Sequence, residues 1–245
     1  MKQVEPHGQS VAIIGAGDYI GAAIARKFAA EGYLVVAGRR KGDKLALLVE
    51  EIEVAGGRIS ARSLDARDPD AVTAFLKAAD DLAPLALTVF NVGANVNYPI
   101  LDTTDRVFRK VWEMACFAGF VSGRESARLM LARGQGKIFF TGATASRRGG
   151  KGYAAFASAK FGLKAVAEAM ARELWPQRIH VAHLTIDAGV DTEWVRQIIK
   201  DRGGPEDPQG LMPPEAIAEA YWELFRQPET AWTFEKEIRP CGEPW

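Results

Sequence analysis

The sequence predicts an α/β fold: a doubly wound parallel sheet of about seven strands with helices on both faces, in one domain over residues 1–245. Three observations lead there. Short apolar runs alternate with stretches of helical period from end to end, the pattern of right-handed βαβ crossovers. The series opens on 10–40, SVAIIGAGDYIGAAIARKFAAEGYLVVAGRR, which reads strand, glycine-rich turn, helix, strand. No linker, internal repeat or low-complexity tract divides the chain, and a hydrophobic content of 48% supports a large core.

Taken in order, the run 11–14 is the first strand and ends at Gly15. Ile20, Ile24 and Phe28 then recur at helical spacing, and Gly32 stops the helix. The second strand is 34–37. An amphipathic helix over 41–55 carries Leu45, Leu48, Val49 and Ile52 on one face and ends at Gly56 and Gly57. The third strand, 59–64, leaves Asp65 at its carboxyl end. Asp68 and Pro69 open a helix over 68–80 as cap and first-turn residue. The fourth strand, 85–90, is followed by Asn91-Val92-Gly93-Ala94 and a loop over 95–99. One long helical region is expected over about 104–133. The fifth strand is 137–141; a loop rich in Gly, Arg and Ser leads to a helix over 153–175, closed by Pro176. The sixth strand is 180–186. A short helix over 191–201 and a Pro/Gly-rich stretch over 203–212 make 191–213 a flexible segment expected to cover the substrate. A helix over 213–226 and a strand over 235–239 complete the chain.

Composition narrows the function. Lys+Arg and Asp+Glu are both 31, so there is no electrostatic footprint for nucleic acid or a membrane surface. Cys116 and Cys241 form neither a disulfide framework nor a metal spacing, which fits a reducing compartment. The first ten residues lack the apolar core of a signal peptide, and no apolar run approaches the roughly 20 residues needed to span a bilayer. A cytoplasmic location is expected. No His/Cys/Asp/Glu spacing suggests a metal.

In a sheet of this kind ligands bind beyond the carboxyl ends of the strands, so the residues just after each apolar run carry the chemistry. A turn that opens a helix aims backbone N–H groups and the helix dipole at one spot, a site for phosphate. Gly15, Gly17 and Gly21 remove the side chains that would keep a pyrophosphate away. The alternative is a strand–helix turn with no ligand. The second strand ends Ala37-Gly38-Arg39-Arg40, with no acid to bond the two ribose hydroxyls. Arg39 and Arg40 suit a 2′-phosphate, so NADP(H) is favoured and NAD(H) remains possible; Asp18 argues the other way. A solvated turn is the alternative for the two arginines. Asp65 is either an acceptor for the adenine amino group or a loop acid.

With the glycine turn, Asp65, Asn91-Val92-Gly93, Lys160 within Phe156-Ala157-Ser158-Ala159-Lys160, and Val190 and Thr192 in this order, the chain resembles the short-chain dehydrogenase/reductase family over about 10–239. The resemblance implies a Rossmann-type fold, a nicotinamide cofactor and hydride transfer to or from a small carbonyl or alcohol. It also implies a homodimer or homotetramer packed through the helices near 104–133 and 153–175. Cofactor contacts are expected at Gly15, Gly17, Tyr19, Ile20, Gly21, Arg39 and Arg40. They are expected too at Asp65, Ala66, Asn91, Val92, Gly93, Lys160, Val190 and Thr192.

The departures from the family pattern matter as much. Phe156 stands where the family has its proton-donating tyrosine, Ala143 where it has a serine and Cys116 where it has an asparagine; only Lys160 of the four remains. A third family glycine falls on Tyr19, and the usual Pro-Gly after the sixth strand reads Asp187-Ala188. Phenylalanine has no proton to give. Thr141 and Thr144 flank Ala143 and carry hydroxyls. Tyr153 shares a helix face with Phe156 and Lys160, so it either serves as acid or lines the pocket or a subunit contact. Lys160 either bonds the nicotinamide ribose or is a surface lysine. His183 reads as a satisfied core or half-buried histidine, and His7 and His180 carry no signal. Trp194 could cover substrate. Arg147 and Arg148 either meet an anionic substrate or are solvated. Two function classes stay open: a short-chain oxidoreductase with an atypical proton donor, and a catalytically inactive dinucleotide-binding module acting as sensor or subunit partner.

Overall fold

The computed structural model describes residues 8–201, 203–205 and 210–242. Seven parallel strands form one sheet in the order β3-β2-β1-β4-β5-β6-β7. They are β1 (Ser10–Ile14), β2 (Leu34–Arg39), β3 (Arg58–Ser63), β4 (Leu85–Phe90), β5 (Gly136–Thr141), β6 (Ile179–Ile186) and β7 (Glu235–Ile238). β1 pairs β2 on one side, Ser10 opposite Leu34, and β4 on the other, Ile14 opposite Phe90. The chain winds outward from β1 in both directions, so the crossovers on either side of the β1–β4 seam diverge. The crevice they leave at the carboxyl ends is where this architecture takes a ligand.

The strand period of two sends alternate residues to opposite faces. Val11 and Ile13 join Phe28, Tyr221 and Leu224 in one apolar layer; Ala12 and Ile14 join Leu76, Phe90 and Phe140 in the other. Strands β1, β4 and β6 are buried throughout, as expected of parallel strands covered on both faces, while the edge strands β3 and β7 stay half-exposed. Phe28 is enclosed by the rings of Tyr33, Trp222 and Phe225 at 5.3–6.0 Å between centroids. A side chain so enclosed contributes about 3 kcal/mol or more.

The helices are α1 (Ile20–Ala30), α2 (Ala46–Val54), α3 (Pro69–Leu82), α4 (Asp105–Trp112), α5 (Ala118–Leu131), α6 (Ala154–Leu174), α7 (Glu193–Asp201) and α8 (Pro214–Phe225). Asp68 caps α3 by accepting from the N–H groups of Asp70 and Ala71, with Pro69 in the first turn. Two expectations are corrected. The helix expected over 41–55 begins as a 3₁₀ turn, Gly42–Leu45, where Gly42 packs against Ser63. The region 104–133 is not one helix. A π turn, Glu113–Phe117, separates α4 from α5. The wider turn rotates the two halves so that both face α6. α4 contributes Val111, with Ala115 and Cys116 of the turn, to an apolar cluster around Phe156. α5 approaches α6 through Gly119, where a Cβ would stand 2.3 Å from Leu163 Cδ1.

The segment 191–213 includes residues 202 and 206–209, which lie outside the described residues, as does His7. Its ends are clasped together: Asp191 N–H donates to Met212 O (2.9 Å) and Met212 N–H to Gly189 O (2.8 Å). Among the described residues, no helix is long and apolar enough to cross a membrane.

Candidate active site

A groove crosses the carboxyl ends of the central strands. One lobe of about 680 Å³ lies between the glycine turn and the start of α6, and an adjoining lobe of about 710 Å³ lies over β2 and β3. Gly15, Gly17, Asn91, Val92 and Gly93 line both. The turn itself is tightly fixed. Gly15 has φ of +96°, and a Cβ there would meet Asn91 O at 2.7 Å; a Cβ on Gly21 would meet Gly15 O at 2.6 Å. Asn91 Nδ2 donates to Gly15 O (3.0 Å) and its N–H to Ile14 O (2.8 Å), pinning turn to β4. A Cβ on Gly17, by contrast, would meet nothing within 4 Å; it would project into the open groove. α1 begins at Ile20 with no side-chain cap, Tyr19 holding the cap position; Ala22 N–H donates to Gly17 O (2.9 Å), and Ile20 and Gly21 of the first turn line the groove.

Over β2 and β3 the charges are arranged in pairs. Arg39 donates to Asp18 Oδ1 at 2.5 Å. Asp65 accepts two bonds from the Arg67 guanidinium, at 2.9 and 2.5 Å. The Arg67 bonds, with Arg40 nearby, hold its carboxyl at about 2. Arg40, Lys41, Lys44 and Ala66 complete this lobe's wall.

Lys160 lies at the floor of the first lobe and is buried. Its Nζ donates to Thr141 O (2.8 Å) and to Val92 O (3.3 Å), one carbonyl at the end of β5 and one just past β4. Burial lowers its pKa to about 8. The Phe156 ring, one turn earlier on α6, has its centroid 5.9 Å from Nζ. Phe156 is packed by Val111, Ala115, Cys116 and Ala145, so the corner that the resemblance assigns to tyrosine, serine and asparagine is apolar. Burial raises the Cys116 thiol.

The three candidate hydroxyls fare differently. Thr141 Oγ1 is turned into the core against Tyr221 Oη at 2.6 Å. Thr144 donates to Asp187 Oδ1 at 2.5 Å. Tyr153 stays on the groove wall, and its hydroxyl has no hydrogen-bond partner among the described residues. Val190 pairs with Met212 across the clasp, and Thr192 Oγ1 accepts from Val195 N–H at the start of α7; both line the groove beside Trp194.

Sequence reasoning missed Asp187. It is fully buried at the end of β6 and bonded to Thr144, Arg148 and Arg239. Burial pushes its carboxyl up, but the Thr144 bond and the charges of Arg148, Arg239 and Arg147 outweigh it and hold the pKa below the ordinary value. The rule that residues after an apolar run carry the chemistry points at this position. His183 corrects the expectation of a satisfied histidine. It is buried under Gly142, with Nδ1 3.3 Å from Thr185 Oγ1, and Nε2 has no partner among the described residues. Burial, then Lys160 and Lys164, lower it to about 3. His180 is stacked on Trp232 at 4.8 Å, its Nε2 2.9 Å from Thr233 O.

The parallel sheet, the glycine turn at its switch point and the lysine on α6 define the class: the chain belongs to the short-chain dehydrogenases, whose family model, described as short chain dehydrogenase, matches residues 9–203. Members of this family are oxidoreductases that bind NAD(P). Among individual proteins, the crystal structure of a short-chain dehydrogenase from Rhodopseudomonas palustris is 70% identical, with a TM-score of 0.84 over 95% of this chain and 99% of its own. Short-chain dehydrogenase/reductase ATR9 of Stachybotrys chlorohalonatus is 28% identical over 92% of this chain and 94% of its own length. Glycine betaine reductase ATRR of Emericella nidulans is 28% identical over 97% of this chain, which spans only 19% of that longer protein.

Proposed function

We propose that this chain binds NADP(H) in preference to NAD(H) and transfers a hydride between the nicotinamide and the carbon of a small carbonyl or alcohol. The proton is handled by a group other than a phenol at position 156. The observation that carries the reading is Lys160. Burying an amine with no carboxylate partner costs stability, and this one sits at the floor of the groove with two of its three protons on main-chain carbonyls. The third is left for a ligand hydroxyl.

The groove fits the cofactor. The space that a Cβ on Gly17 would enter is where a pyrophosphate would lie, before the uncapped start of α1 and beside Tyr19, Ile20 and Gly21. Arg39 and Arg40 would hold the 2′-phosphate, Asp65 and Ala66 the adenine, and Asn91, Val92 and Gly93 the path between. Lys160 would bond the nicotinamide ribose, and Val190 and Thr192 its carboxamide end. When bound, the cofactor supplies or accepts the hydride. Of the three candidate hydroxyls, Tyr153 is the one left free to exchange a proton with the substrate oxygen, since Thr141 faces Tyr221 and Thr144 already donates to Asp187. Phe108, Trp112, Phe120 and Phe161 are exposed on α4, α5 and α6, an apolar face suited to a homodimer or homotetramer.

A second reading, a dinucleotide-binding module without turnover, is favoured by Phe156, which closes the ordinary proton route. One experiment separates them. The protein is titrated with NADPH and NADH by calorimetry, then mixed with NADPH and a panel of aldehydes, ketones and quinones while nicotinamide absorbance is followed. We expect tighter binding of NADPH and turnover of at least one carbonyl. Binding without turnover across the panel selects the second reading, and no heat with either coenzyme overturns both.

A further inference from the structure

Beneath the groove wall, three guanidiniums and two carboxylates form one cluster. Asp187 is shared by Arg148 and Arg239, and Glu237 by Arg147 and Arg239. The three arginines are not equivalent. Arg239 is almost wholly buried, with 9% of its side chain exposed. Arg147 turns to Glu237 on the edge strand and does not line the groove. Arg148 has half of its side chain in the open, bonds Asp187 only at 3.3 and 3.4 Å, and lines the same groove as Tyr153, Phe156 and Trp194. Of the three guanidiniums, the one that lines the groove is thus the most exposed and the most loosely bonded. Asp18, the other acid on that lobe's wall, is already paired with Arg39, and the remaining charge there is the cation of Lys160.

We propose that the groove is specific for carbonyl compounds bearing a carboxylate, which Arg148 binds while the apolar surface of Phe156 and Trp194 takes the body of the molecule. A planar guanidinium presents two parallel N–H donors that match a carboxylate's two oxygens. Asp187 holds Arg148 in place from behind through one N–H of each terminal nitrogen, which leaves the other N–H groups of the guanidinium for a ligand. This inference rests on the reading of the groove as the nicotinamide site, because it is the substrate half of that site that Arg148 faces.

The test uses the full chain saturated with NADP⁺, which prevents reduction of the probe, and two probes that differ by the charge and one methyl group: 4-carboxybenzaldehyde and its methyl ester. Binding is measured by calorimetry. The carboxylate is expected to bind about tenfold more tightly than the ester, the worth of one charge-assisted pair at a partly open site. Arg148→Gln keeps a donor for Asp187 but removes the charge, and should abolish the difference; Arg148→Lys should restore part of it. NADP⁺ affinity should be unchanged in both variants. Equal binding of the two probes, binding of neither, or a preference that survives in Arg148→Gln would overturn the proposal. If NADP⁺ itself fails to bind, it is the cofactor reading that falls, and this one with it.

Discussion

Lys160 rests its ammonium over the Phe156 ring, 5.9 Å from the centroid, with no carboxylate bonded to it among the described residues. The pair sets a cation beside the ring face at the spot where a phenol would otherwise share that charge. The ring cannot give or take a proton, so within the pair only the Lys160 ammonium can.

Restoring the oxygen is the direct test. Phe156→Tyr adds one atom to a ring that is 7% exposed, next to an amine that would favour the phenolate. Turnover of a carbonyl by NADPH should rise about a hundredfold or more, the usual worth of a positioned general acid. No rise would show that Ala143 and Cys116 are also at fault.

The glycine turn gives a contrast between folding and binding. Gly21→Ala puts a Cβ 2.6 Å from Gly15 O and should lower the melting temperature. A Cβ at Gly17 meets no protein atom, so Gly17→Val should weaken NADPH binding at least tenfold with a far smaller change in melting temperature. Equal loss of stability in both variants would remove the distinction between a structural glycine and a ligand-facing one.

Coenzyme preference should respond to the Arg39–Asp18 pair. Asp18→Asn frees the guanidinium for a 2′-phosphate and should raise the ratio of NADPH to NADH affinity several-fold. Arg39→Ala should lower it. Titration of each variant with both coenzymes decides, and an unchanged ratio would take Arg39 out of the phosphate site.

The buried bases set the pH dependence of stability. His180 and His183 are held at about 4 and about 3, chiefly by burial, so the folded chain keeps them neutral where the unfolded chain protonates them. The unfolded state then binds more protons, and stability falls as pH drops below about 6.5, at up to about 1.4 kcal/mol per pH unit for each histidine. Lys160, lowered to about 8, gives the same sign in another window. Lys137, also lowered to about 8 by burial, acts in the same window, so stability should climb between pH about 8 and about 10, and Lys160→Met should reduce that climb by roughly half in urea titrations. Above that window the buried Tyr221 phenol, raised by burial, opposes the trend.

Most of the sheet was legible because strand and helix periods are local. The runs that set β1, β4 and β6 are continuous and apolar, and the glycine turn follows directly from them. The π turn was not legible, since Trp112, Glu113 and Ala118 are ordinary helix residues and the extra width is imposed by packing against α6. The pairing of Asp187 with Thr144, Arg148 and Arg239 was invisible for a related reason. Those partners lie on the loop after β5 and just past β7, which only the finished sheet brings together, so the residue reads in sequence as a mere substitution for proline.

The placement of β1 has a consequence for synthesis on the ribosome. β1 acquires β2 within a few dozen residues, but its other neighbour, β4, begins only at Leu85. Until that strand emerges, one full row of β1 amide and carbonyl groups stands bare on an apolar ribbon, open to capture by another nascent chain. A fragment stopped before Leu85 should therefore be far more prone to aggregate than one that continues past Phe90, independently of any loss in the finished enzyme.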